Sequence, residues 1–230
     1  MTNVREPHLP VPAWLRHTQG ERRWPVTVSV AAAIVLQFLL PPNFTQPLPP
    51  WVLPTLEVAL LVGLTIADPG RIERRGPYIR AASIVLIALI TIANAASAIL
   101  LIRAILDGKA GSDAGPLFAT GASIWATNVI AFALWYWEFD RGGPVHRAHG
   151  TVPHPDLMFP QMANPGLAPP DWEPQFFDYL YLSFTNATAF SPTDVMPLAR
   201  WAKLAMAVQS ALSLAVGALV IARAVNILRT

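Results

Sequence analysis

From Ala81 to about Leu106 the chain reads AASIVLIALITIANAASAILLIRAIL, an apolar stretch of the kind that crosses a lipid bilayer. A hydrocarbon core of about 30 Å takes about 20 helical residues at 1.5 Å each. Lipid offers no partner to a backbone amide or carbonyl, so such a stretch is helical. Shorter or comparable runs recur: Trp24 to about Leu40, stopped by Pro41 and Pro42; Trp51 to Ala67; Pro116 to Phe139; and Leu198 to about Leu228. Proline ends a helix because it removes a hydrogen bond and clashes with the preceding turn. Of the 230 residues 53% are hydrophobic and 13% charged, against about 25% charged in soluble domains. The predicted fold is all-α: a polytopic transmembrane helix bundle with about five spans and a short re-entrant or interfacial helix before the last.

This divides the chain into a cytoplasmic tail over 1–23, a four-span region over 24–139, an extramembrane loop over 140–174 and a hairpin over 175–230. The tail has neither the short apolar core nor the small-residue cleavage site of a secretory signal. The loop is rich in Pro, Gly and His with no sustained period, and reads as ordered but irregular. Phe176 to Phe190 is apolar yet too short to span, hence re-entrant or interfacial. Trp135, Tyr136 and Trp137 at the end of the fourth run suit the headgroup level, where amphipathic rings collect.

Orientation follows from Lys and Arg beside the spans. With the amino terminus inside, Arg5, Arg16, Arg22, Arg23, Arg71, Arg74, Arg75, Arg80, Arg141, Arg147, Arg200 and Lys203 are cytoplasmic, leaving Arg103, Lys109, Arg223 and Arg229 outside. The loop after the fourth span is then cytoplasmic. The Arg, Ala and Pro bias suggests a bacterial inner-membrane protein. Cysteine is absent, which excludes disulfides and thiolate chemistry. No basic block with interleaved aromatics suggests nucleic acid.

The segment DYLYLSFTNATAFSPTDVMPLARWAKLAMAVQSALSLAVGALVIARAVNIL begins at Asp178. It has a short aromatic helix, a Ser/Thr-rich stretch, an Asp three residues before a Pro, and a long apolar helix. In this it resembles the pore helix, filter and inner helix of bacterial potassium-channel-like proteins. The resemblance implies a constriction at Ala189 to Asp194, with Thr188, Ser191, Thr193 and Asp194 as filter candidates, cations as permeants, and oligomerisation around the last helix. The glycines of a potassium filter, whose carbonyls replace the ion's water shell, are missing here, so potassium selectivity of that kind is not expected. A potassium-type loop also enters from outside, whereas the charge count puts this one inside. YWEFDRGGP, DYLYLSFTNATAFSPTDV and ARAVNIL together are similar to an uncharacterised family of bacterial integral membrane proteins, a domain of unknown function that implies topology and no chemistry.

Glu57 stands near the middle of WVLPTLEVALLVGLTIA, where an unpaired charge costs about 2.5 to 3.5 kcal/mol on insertion scales. It is either a proton or cation site or a carboxyl bonded between helices. Asn94, Asn128 and Gln209 are polar candidates for the same interior, although such side chains commonly only pack helices. Asp194 or Thr193 has a plainer reading as the cap of the final helix. His146, His149 and His154 with Asp156 offer metal-type ligands, but the prolines and glycine among them favour a solvated loop over a metal site. No HExxH, GxxxxGK or GxSxG motif occurs, so no catalytic residue and no cofactor is expected. On the last helix Ala207, Ala211 and Ala215 form one small-residue row and Ser213 and Gly217 another, fit for close packing against a bundle neighbour or a second copy. Three functions remain: a channel-like pore-loop protein with a non-standard or non-conducting filter, a small transporter or proton-coupled carrier centred on Glu57, and a structural or accessory membrane protein without transport.

Overall fold

A computed structural model describes residues 12–44, 49, 51–73, 76–188 and 194–228. It is all-α, with helices α1 (Trp24–Phe38), α2 (Val52–Ala67), α3 (Pro77–Leu106), α4 (Ala114–Phe139), α5 (Pro144–Ala148), α6 (Pro160–Ala163), α7 (Phe176–Thr188) and α8 (Arg200–Ile227). The described strands are β1 (Leu157–Met158) and β2 (Met196–Pro197), paired antiparallel with Leu157 opposite Pro197 and Met158 opposite Met196. The expected helices appear within four residues of their predicted ends. The β pair was not expected, because two residues carry no readable period.

The chain is a membrane protein: α3, α8 and the stretch Ala114–Gly142 built on α4 are long and apolar enough to cross a bilayer. Their outward residues fit lipid contact, as on α8, where Leu204, Val208, Leu214, Ile221 and Val225 are exposed. Helices α1 and α2 are shorter, at 15 and 16 residues. They form an antiparallel hairpin closed at one end by Arg23, which bonds the carbonyl and carboxylate of Asp68 at 2.6 and 3.1 Å. At its other end Leu40 joins a cluster with Ala98 and Leu101. Arg80, near the closed end, lies about 30 Å along α3 from Leu101, so the hairpin runs through most of the depth that α3 crosses.

Helix α4 is central, packing against α1, α3, α7 and α8. Its start is capped by Asp113, whose carboxylate accepts from Gly115 N at 3.0 Å. Gly121 lets α8 come close, since a β-carbon there would stand 2.8 Å from Val220 Cγ2.

Helix α7 starts beside the end of α4, with Phe176 packed on Trp137, and descends between α4 and α8. Ser183 Oγ donates to Val129 O at 2.6 Å, and Val129 lies ten residues before the end of α4, about 15 Å down. The chain is back at the starting face by Met196, which pairs with Met158. Thus α7 enters and returns on one face. We call this the first face; it also carries Arg22, Arg23, Arg71, Arg80, Arg141, Arg147 and Arg200, while Arg103, Lys109 and Arg223 lie toward the second.

Candidate functional site

The polar candidates of the membrane interior fall into two separate groups. Around α7 a chain of hydrogen bonds centres on Gln209, which is fully buried. Its Oε1 accepts from Tyr136 OH at 2.7 Å and from Asn186 Nδ2 at 2.8 Å. Its Nε2 donates to the carbonyl and hydroxyl of Ser183 at 2.9 and 2.7 Å. Asn128 Nδ2 donates to Ser213 Oγ at 2.9 Å, and Ser210 Oγ donates to the Asn186 carbonyl at 3.0 Å. Every side chain of this group is bonded, and it ties α7 to both α4 and α8.

Glu57 belongs to the second group. It is fully buried, and Gln37 Nε2 donates to its two oxygens at 3.4 and 3.2 Å. Asn94 joins neither group, and among the described residues its buried Oδ1 has no hydrogen-bond partner. One interior containing Glu57, Asn128 and Gln209 is therefore not what the fold builds. Gln37, Tyr136, Ser183, Asn186 and Ser210 escaped the sequence reading. The signal was there for some of them: Ser183 and Asn186 are three apart, as are Gln209 and Ser213 four apart, each pair on one helix face.

Among the filter candidates, Thr188 ends α7, its hydroxyl donating to Thr185 O at 2.8 Å, and Asp194 is exposed. Ser191 and Thr193 lie outside the described residues. The capping reading of Asp194 is corrected: α8 begins at Arg200 behind Ala199, and among the described residues no side chain caps it. The cap forms instead at the start of α7, where Asp178 Oδ2 accepts from Gln175 N at 2.8 Å. The small-residue rows of α8 also divide. Ser213 is buried against Asn128, Ala207 and Ala211 are exposed, and Ala215 and Gly217 are half-buried.

At the first face the DRGG turn after α4 folds back on the protein. Arg141, Gly142 and Gly143 take φ of 51°, 79° and 99°, left-handed values that favour glycine. The turn buries Asp140, whose Oδ1 accepts from the amides of Asp156 and Leu157 at 3.0 and 3.2 Å and whose Oδ2 accepts from Tyr179 OH at 2.7 Å. Arg141 lies alongside, its Nε 3.8 Å from Asp140 Oδ2 and its guanidinium bonded to Trp14 O. Arg147 donates to the carbonyls of Trp137 and Asp140 and stacks on the Tyr179 ring at 4.9 Å. Glu21 accepts from Trp137 Nε1 at 2.7 Å and from Phe176 N. Tyr136 thus turns inward rather than to the headgroups, and Trp137 is buried with its indole N–H on Glu21. His146 and His149 are engaged locally, with Thr151 Oγ1 at 3.1 Å and Val145 O at 2.7 Å. Among the described residues no group of three or more His, Asp or Glu is placed to hold a metal.

Burial raises the pKa of Glu21, more than the nearby Arg147 and its hydrogen bonds lower it. The folded state therefore binds this proton more tightly than the unfolded chain does. The stability Glu21 contributes is fully present below its unfolded value of 4.5 and is lost as pH rises through the raised folded value. Wild type should gain on Glu21→Gln as pH is lowered from 8 toward 4.5, measured as the difference in melting temperature in detergent; a constant difference would contradict this.

No protein-family model, curated protein or solved structure matches the chain.

Proposed function

We propose that the chain is a channel-like pore-loop protein that passes cations through a filter unlike that of potassium channels. The observation that carries this reading is helix α7, which enters from the first face, ends at about mid-depth at Thr188 and is held there by Gln209. A helix C-terminus carries about half a negative charge on its free carbonyls, and at this depth little water screens it. Non-helical backbone at membrane depth is tolerated only inside protein or beside water. Copies assembled through the exposed Ala207 and Ala211 of α8 would supply such an enclosure, with Asp194 at its mouth. The excess of Arg on the first face supports a cytoplasmic position for that face, with the loop entering from inside.

Glu57 favours a second reading, a proton-coupled carrier, because its carboxylate is fully buried with Gln37 as its one hydrogen-bond partner among the described residues. Liposomes containing the purified chain separate the two. The pore reading expects potassium or sodium flux that Asp194→Asn lowers several-fold and Glu57→Gln spares. The carrier reading expects pH-dependent uptake lost in Glu57→Gln alone. Flux untouched by Asp194→Asn sinks the pore, and indifference to both changes leaves an accessory protein.

A further inference from the structure

A cavity of about 350 Å³ opens at the first face between the start of α3 and the turn after α4. Ile72, Ile79, Trp137 and Val145 make its walls mainly apolar, and Arg80 and Glu138 bring charge to it. It sits at headgroup level, where exposed Tyr78 and Trp24 mark the edge of the bilayer. Apolar concave sites with a few convergent polar groups are the usual form of a ligand pocket.

The charges lining the cavity are unequally committed. Arg23 also borders it, but its guanidinium is spent on Asp68. Glu138 and Arg80 are not matched in this way. The Glu138 side chain is 5% exposed and that of Arg80 is 44% exposed, and they meet only at 3.5 Å, from Nε to Oε1. A tight guanidinium–carboxylate contact is about 2.7 to 2.9 Å and often two-pronged. With His146 engaged by Thr151, what remains for a ligand is one buried carboxylate and one half-exposed guanidinium beside it, a pair that suits a zwitterion. An anionic headgroup would meet the carboxylate of Glu138, and a lone cation would leave Arg80 unused.

We propose that this cavity holds the headgroup of a phosphoethanolamine lipid, with its ammonium on Glu138 and its phosphate on Arg80. The primary ammonium donates up to three hydrogen bonds to the buried carboxylate, whereas a trimethylammonium donates none. The half-exposed Arg80 swings from its long contact onto the phosphate. The apolar walls take the glycerol end and the start of an acyl chain. This assignment does not depend on what α7 passes.

The test is native mass spectrometry of the full-length, delipidated protein in detergent, offered equal amounts of phosphatidylethanolamine, its mono- and dimethyl derivatives, phosphatidylcholine and phosphatidylglycerol. Retention should fall with each methyl group, reaching about a tenfold preference for phosphatidylethanolamine over phosphatidylcholine, the scale of one charge-assisted bond. Phosphatidylglycerol should bind no better than phosphatidylcholine. Glu138→Gln should flatten the series, and Arg80→Ala should weaken all the phosphate headgroups alike. A flat series in wild type, a preference for phosphatidylglycerol, or an intact preference in Glu138→Gln overturns the proposal. If Glu138→Gln does not fold, the methyl series on wild type decides alone. Soluble glycerophosphoethanolamine is the last arm: displacement of the lipid by an equal concentration would overturn a lipid as the source and leave a free phosphoethanolamine compound as the ligand.

Discussion

Asp140→Ala is expected to lower stability by about 3 to 5 kcal/mol, the scale set by removing one partner of a buried ion pair. Asp140 is fully buried and gathers two distant parts of the chain, the amides of Asp156 and Leu157 and the hydroxyl of Tyr179, beside the guanidinium of its neighbour Arg141. Alanine would leave Arg141, itself 2% exposed, without its nearest carboxylate, and would strand two amides and a phenol. Asp140→Asn keeps an acceptor for the amides and should lose about half as much. Both are measurable by thermal unfolding in detergent. Because the chain has no cysteine, a single cysteine at buried Leu157 reports the same event locally, protected in wild type and labelled in Asp140→Ala. A loss under about 1 kcal/mol, with Leu157 still protected, would mean that the turn is held by something other than this carboxylate.

That hub shows where sequence reasoning stops. Helix ends were legible where local chemistry bounds them, as at Pro41 and Pro42 beyond α1 and the Gly-rich turn before α4; α3 begins at Pro77, four residues before the Ala81 start read from the sequence. That α7 is too short to span was legible too, from the length of the apolar run Phe176 to Phe190, which left re-entrant and interfacial readings open. Asp140, by contrast, stands at the end of an apolar run beside an arginine and two glycines, which reads as a wet interfacial turn. Its partners lie 16, 17 and 39 residues away, and no local pattern announces them. Tyr136 misleads for the same reason: between two tryptophans it looks interfacial, yet its helix phase points it at Gln209. Glu57 and Asn128 were both found as polar residues in apolar runs. That they face different neighbours, Gln37 in one case and Ser213 in the other, is set by the order in which the helices pack.

Gln209→Leu is expected to cost about 3 kcal/mol and to free the inner end of α7. The side chain is fully buried and makes four hydrogen bonds, two accepted and two donated. Side-chain bonds within membranes average about 0.6 kcal/mol; four of them, with one partner left unmatched at about 1 kcal/mol, come to about that figure. Leucine is close in volume, so the loss reads the hydrogen bonds more than a void. Tyr136→Phe removes only one of the four and should cost about 1 kcal/mol. A cysteine at Ala187, which is 4% exposed near the inner end of α7, should stay unlabelled in wild type and in Tyr136→Phe, and become labelled in Gln209→Leu. If Gln209→Leu costs no more than Tyr136→Phe, apolar contacts such as those of Phe176, Tyr179 and Leu182 hold α7 by themselves. In that case the polar chain would add little to how α7 is seated, and its side chains could be replaced singly without freeing the helix.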